Sequence, residues 1–185
     1  MLRTKRLLSF VLLFMALATL STPLLAQRYK SKTANVTFFS DAPVEDITAH
    51  TSEATGVFDA DKGEFAFSVP ISTFQFEKAL MQEHFNENYL ESDKYPKSTF
   101  VGRFTNYTKQ EGSRQVTAKG KLYIHGQTQE VTINGTLNHQ GNAVSMNAVF
   151  NVPLKDYKVK VPKVVFYNIA EVIEVTVQFD FEPLN

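Results

Sequence analysis

EVIEVTVQFDF, residues 171–181, alternates from Ile173 to its end: Ile173, Val175, Val177, Phe179 and Phe181 are apolar, and Glu174, Thr176, Gln178 and Asp180 between them are polar. A period of two belongs to a β-strand with one face in a core and the other in water, whereas a helix would scatter these residues round its axis. Reading outward from this strand, the same period recurs. Val144, Met146, Ala148 and Phe150 form one set, Val131, Ile133, Gly135 and Leu137 a second, and Val116, Ala118, Gly120, Leu122 and Ile124 a third. Phe100, Gly102 and Phe104 follow the rule, as do Phe65, Phe67, Val69 and Ile71. The turn residues DADKG at 59–63 predict a hairpin between TGVF at 55–58 and the Phe65 strand, and Gly126 with Gln127 marks another tight turn. A strand around Asn35 to Phe39 brings the count to about eight. Many antiparallel strands with one apolar face must close into a barrel or stack as a sandwich, because an open edge invites aggregation. The favoured reading is all-β, an eight-stranded antiparallel barrel, whose interior side chains can fill or one small ligand can occupy.

Two segments interrupt the alternation. Good helix formers from Glu77 to Asn88 place Phe76, Met81, Phe85 and Asn88 on one side, which predicts an amphipathic helix of about three turns. Tyr95 precedes Pro96, a step that disfavours helix and forces an extended exit into the Phe100 strand. The expectation is a short helix near the barrel mouth, acting as a lid with its hinge. The second interruption, residues 155–165, is basic and broken by Pro162, and reads as a loop at the rim.

The chain has 185 residues, and its first 26 do not read as part of a domain. Arg3, Lys5 and Arg6, an apolar run from Leu7 to Ala18 and the polar break at Ser21, Thr22 and Pro23 follow the order of a secretory signal peptide. The run is shorter than the roughly 18 residues of a spanning helix. Cleavage after Ala26 is expected, leaving a single domain over residues 27–185 and no stable membrane insertion. Removing three of the 19 basic residues leaves 16 against 19 acidic ones, a net charge of −3. That balance gives no reason to bind nucleic acid. The absence of cysteine leaves packing alone to hold an exported fold, and the Asn-x-Thr sequons at Asn35, Asn106 and Asn134 are read as chance.

The run HFNENYLESDKYPKSTF at 84–100, followed by GKLYIHGQTQEVTI at 120–133, resembles the YceI-like family of exported lipocalin-like barrels. That family's pattern is a helix ending in a tyrosine-proline step, a Thr-Phe strand and a Gly-x-Leu-x-x-His-Gly-x-Thr hairpin. The chain matches it at Tyr95, Pro96, Thr99, Phe100, Gly120, Leu122, His125, Gly126 and Thr128, and the likeness spans about residues 33–182. The resemblance implies a lipocalin-like barrel in the bacterial periplasm that binds a polyisoprenoid, an isoprenoid quinone or a similar amphiphilic lipid in its lumen. The segment after Asp156 and Tyr157 departs from the arginine-and-phenylalanine pattern of many members, so no headgroup contacts carry over.

A featureless apolar chain can be recognised only by the width and length of a channel with a few polar groups at its mouth. The candidate lining is Phe65, Phe67, Met81, Phe85, Phe100, Phe104, Leu122, Met146 and Phe150. Inward glycines at Gly102, Gly120 and Gly135 either leave room at the axis or mark a barrel corner. The alternative is a stress-protective or interaction barrel whose lumen is filled by its own aromatics, most of the chain's sixteen phenylalanines lying in the mature part. His84 and Glu87 share a helical spacing but do not by themselves make a metal site, and His125 is assigned a turn hydrogen bond. Neither metal nor cofactor is expected. No nucleophile or phosphate-binding motif is present and the inward sets carry no polar residue, so the chain is not expected to be an enzyme. An exposed edge or paired mouths would allow a homodimer.

Overall fold

The computed structural model describes residues 27–41, 46–160 and 169–184; the expected signal peptide and the latter part of the rim loop lie outside the described residues. Ten strands form one sheet: β1 (Arg28–Ser40), β2 (Ile47–Thr51), β3 (Thr55–Asp59), β4 (Glu64–Pro70), β5 (Gln75–Phe76), β6 (Lys97–Phe104), β7 (Gly112–Ile124), β8 (Gln127–Gln140), β9 (Ala143–Pro153) and β10 (Val172–Pro183). Eight of them run in the order β10-β9-β8-β7-β6-β4-β3-β1, and β1 pairs back onto β10, so the sheet closes as an antiparallel barrel.

The alternating sets fall in phase. Phe65 meets Gly102 and Phe67 meets Phe100 across β4 and β6, Phe100 meets Leu122 across β6 and β7, and Met146 lies between Leu137 and Phe179. A slip by one residue would have turned every one of these to water. β1 does double duty at the seam: its start, Arg28–Lys30, pairs with β3, and its end, Val36–Ser40, pairs with β2.

β2 and the two-residue β5 extend the eight-strand reading. β2 does alternate, burying Ile47, Ala49 and Thr51, but Ala49 and Thr51 give too weak an apolar signal to announce it. The expected three-turn helix is shorter: α1 covers Ala79–His84, and the next turn, Phe85–Tyr89, widens to π geometry with Leu90 N–H donating to the Phe85 carbonyl at 2.9 Å. Leu80 is left 53% exposed on its outer side. The Tyr95-Pro96 step behaves as read, with β6 beginning at Lys97.

One end of the barrel is solid. Phe58 lies with its ring centroid 6.1 Å from Tyr29, 5.9 Å from Phe104, 5.6 Å from Tyr107 and 6.4 Å from Phe181. Each such ring, fully buried, stabilises the fold by about 1.5–3 kcal/mol relative to exposure. Behind them His139, only 4% exposed, faces the Tyr29 hydroxyl at 3.2 Å and Glu111 at 3.3 Å. The inward sets are therefore not free of polar residues: His139 continues the phase of Leu137, buried because Tyr29 and Glu111 partner both ring nitrogens.

Gly102 and Gly120, paired across β6 and β7, do not open space. A Cβ on Gly102 would overlap the Lys119 carbonyl oxygen and sit 2.7 Å from Gly120 Cα, so the two backbones press together there and make a barrel corner.

Candidate functional site

Beyond the solid end the interior is hollow. A cavity of about 260 Å³ runs from the aromatic layer to the underside of α1, on the order of twenty times the roughly 10–15 Å³ that one water needs. Its wall is almost wholly apolar, with Val36, Ile133, Ile173, Val175 and Val177 among the aliphatic contributors. Such a space has no means of holding water by hydrogen bonds and favours an apolar occupant.

All nine residues proposed from the sequence as lining stand on this wall: Phe65, Phe67, Phe100, Phe104, Leu122, Met146 and Phe150 from the strands, Met81 from α1 and Phe85 from the π turn. Several of them, Phe67, Phe100 and Phe150 included, are only half-buried although they point into the barrel, because one side of each ring looks onto free space. Gly135 also lines the cavity, whereas Gly102 and Gly120 do not.

Sequence reasoning missed a cluster beneath the lid. Phe38 at the end of β1, Phe74 after the turn Ile71–Thr73 and Phe76 on β5 surround Phe85, with ring centroids 5.4, 5.6 and 5.0 Å from it. Phe38 shares the phase of Ala34 and Val36 in β1 and was legible; Phe74 lies in a stretch too irregular to carry a period, and Phe76, read from the sequence onto the helix face with Met81 and Phe85, lies instead on β5 before the helix begins at Ala79.

Two polar side chains of the lid also reach the cavity wall, His84 and Tyr89. The Asn88 side-chain amide donates to His84 Nδ1 at 3.0 Å, which leaves the hydrogen on Nε2. Burial raises the Tyr89 phenol above its ordinary value. Among the described residues no three histidines or carboxylates come together to hold a metal ion.

The far end of the lid is latched to the rim. The β7–β8 hairpin turns on His125 and Gly126, both at positive φ (47° and 77°), the geometry of a two-residue primed turn. Gly126 is required twice over, since a Cβ there would lie 2.6 Å from the Tyr95 ring. His125 packs edge-on against Tyr95 at 4.7 Å, directs Nε2 to the Glu91 carboxylate at 2.7 Å and Nδ1 to the Tyr157 carbonyl at 3.2 Å. Its role therefore exceeds the expected turn hydrogen bond: it joins lid, hairpin and the short turn Leu154–Tyr157 that follows β9. The His125 hydrogen bond, with Lys94 and Lys160 nearby, holds Glu91 below the usual carboxylate range. Tyr157 is 2% exposed, and burial, with Asp156 beside it, pushes its phenol up to about 12.

A YceI-like domain model matches residues 28–182, so the chain belongs to the YceI-like family. No curated protein matches the sequence. Among solved structures the fold is similar to BcnA of Burkholderia cenocepacia, with a TM-score of 0.68 and 17% identity over 80% of this chain and 95% of that one. It is similar also to a polyisoprenoid-binding domain from Saccharophagus degradans implicated in plant cell wall breakdown, with a TM-score of 0.73 and 12% identity over 84% and 98% of the two chains. The YceI protein of Campylobacter jejuni superposes with a TM-score of 0.60 and 12% identity over 78% of this chain and 86% of its own.

Proposed function

We propose that this YceI-like barrel is an exported carrier of a polyisoprenoid, an isoprenoid quinone or a similar amphiphilic lipid. The chain of the lipid lies in the cavity and its polar head at the mouth beside His84 and Tyr89. The observation that carries the reading is the band of inward-pointing rings, Phe67, Phe100 and Phe150 among them, left half-buried round an apolar space. Filling that space would remove their exposed faces from whatever water enters, at about 25 cal/mol per Å² covered. The likeness to a polyisoprenoid-binding domain supports the same class of ligand. The signal-like order of residues 1–26 supports delivery to the periplasm, and no helix among the described residues is long and apolar enough to cross a membrane.

The role is binding rather than catalysis. The polar chain Tyr29–His139–Glu111 lies behind the aromatic layer with Tyr29 fully buried, where no substrate in the cavity touches it. The alternative of a side-chain-filled lumen finds support at the solid end, around Phe58, but not beneath the lid.

Protein purified from its native host, extracted with organic solvent and analysed by mass spectrometry, is expected to yield a lipid with an isoprenoid chain. An empty extract, together with no uptake of added prenol by the purified protein, would defeat the reading. Cell fractionation with amino-terminal sequencing tests export, the expected product starting at Gln27.

A further inference from the structure

The floor of the cavity is built from a small number of rings, and one of them occupies an unusual seat. β4 and β10 are separated in the sheet by β3 and β1, yet Phe67 of β4 reaches Phe179 of β10, ring centroid to ring centroid, at 4.7 Å. It does so because the strands between carry almost nothing on their inner face at that level. Gly56 on β3 has no side chain, and Ala34 on β1, paired with Phe179, has only a methyl group. A Cβ on Gly56 would lie 2.7 Å from Phe67 Cδ1 and 2.9 Å from Cε1, so the ring lies directly in the notch that glycine leaves. From there it also touches Phe65 at 5.4 Å and faces Phe181 at 6.2 Å.

This seat is the boundary between the hollow and solid parts of the barrel. Phe65, Phe67, Phe104 and Phe179 all line the cavity, whereas Phe58 and Phe181, in contact with them on the other side, do not. Phe67 itself is half-buried, one side packed on Gly56 and Phe179 and the other facing the bore.

We infer that Phe67, seated in the Gly56 notch against Phe179, is the stop of the bore and sets the longest isoprenoid chain that the barrel encloses whole. The inference rests on the carrier reading and adds a determinant of specificity to it. An apolar channel cannot read a repetitive chain by hydrogen bonds, so depth is what remains to distinguish lengths. A chain that reaches the stop before its head reaches the mouth must leave carbons outside, and each of those forfeits its burial.

The geometry gives two perturbations of opposite sign. Phe67→Ala removes the ring and opens the bore toward Phe58 and Phe181. Gly56→Ala keeps the ring but places a methyl group in its seat, and the ring must tilt into the bore; the backbone of Gly56 is not among those at positive φ, so alanine is tolerated there on conformational grounds. Phe67→Leu, which retains an apolar side chain and packs the notch in part, guards against loss of the fold in the alanine variant.

The test measures dissociation constants of the delipidated protein and the three variants for a ladder of linear prenols from geraniol upward. Folding is checked for each by far-ultraviolet circular dichroism and thermal melting. The wild type is expected to show a length beyond which affinity stops rising. That length should increase by at least one isoprene unit in Phe67→Leu or Phe67→Ala and decrease in Gly56→Ala, with the longest chain accepted by the wild type bound more than about tenfold more weakly in Gly56→Ala, equivalent to roughly 1.4 kcal/mol. A wild-type length limit that stays unchanged in every folded variant overturns the stop and leaves the carrier reading standing. A wild type that binds no prenol of any length overturns both.

Discussion

Truncating a phenylalanine at each end of the barrel should cost very different amounts, and the difference measures the hollow. Phe58 is 1% exposed and has four aromatic neighbours within 6.4 Å. Phe58→Ala loses the transfer free energy of the ring and leaves a hole that interlocked neighbours close only in part, so a loss of about 3–5 kcal/mol is expected. Phe150 is half-buried and faces space that is already empty. Phe150→Ala merely enlarges that space and adds little cavity penalty, so the loss should be about 1–2 kcal/mol, below the roughly 1.5–3 of a fully buried ring. With a urea m-value of about 2 kcal/mol/M, the midpoint should fall by about 1.5–2.5 M in the first variant and about 0.5–1 M in the second, with m unchanged. Adding a prenol at about 100 times its dissociation constant should raise wild-type stability by about 2.7 kcal/mol, and Phe150→Ala by less. Equal losses from the two substitutions would mean that Phe150 is packed as tightly as Phe58, and the physical basis for a ligand in the lumen would be gone.

Three further outcomes are expected. Gly102→Ala should lower the melting temperature sharply, because its Cβ meets the Lys119 backbone rather than a side chain that can move; the cost should exceed the roughly 1–3 kcal/mol of ordinary overpacking, and a wild-type melting curve would contradict the close approach of β6 and β7. The carboxyl of Glu91 is held below its ordinary value of 4.5 chiefly by His125, so the latch contributes fully above about that pH and is lost as pH falls through the lowered value. Hydrogen-exchange protection over residues 89–95, corrected for the intrinsic exchange rate at each pH, should therefore fall in acid, an effect that Glu91→Gln should flatten; identical profiles for both proteins would remove the latch. Tyr157, with its phenol raised to about 12, favours the folded state fully below its ordinary value of 10.0 and loses that contribution as pH climbs towards 12. An ultraviolet titration should show a late-ionising tyrosine that disappears in Tyr157→Phe.

The strand phases were legible because apolar and polar residues alternate cleanly in β4 and β6 to β10, and closure as a barrel followed from the need to hide edges. β2 was not, since its buried set ends in Ala49 and Thr51, residues that water also accepts. The floor and wall of the cavity could be named from phase alone, yet Phe74 and Phe76 could not, because their positions depend on how the chain folds back beneath the lid. Two histidines escaped for a common reason. His139 is buried and His125 is a latch only because Tyr29, 110 residues away, and Glu91, 34 residues away, supply partners that no local pattern announces. The inward glycines illustrate the remaining ambiguity: a missing side chain reads alike whether a neighbouring backbone fills the gap, as at Gly102, or a ring does, as at Gly56.

The seam between β1 and β10, where Tyr29 lies opposite Pro183 and Leu184 N–H donates to the Arg28 carbonyl, also governs how the molecule comes into being. A ring whose first strand waits for its last cannot close until nearly the whole polypeptide is available, and pairings so remote in sequence form slowly. Until then the strands present a greasy, open-sided trough with unpaired edges, the state in which such a chain is most exposed to aggregation.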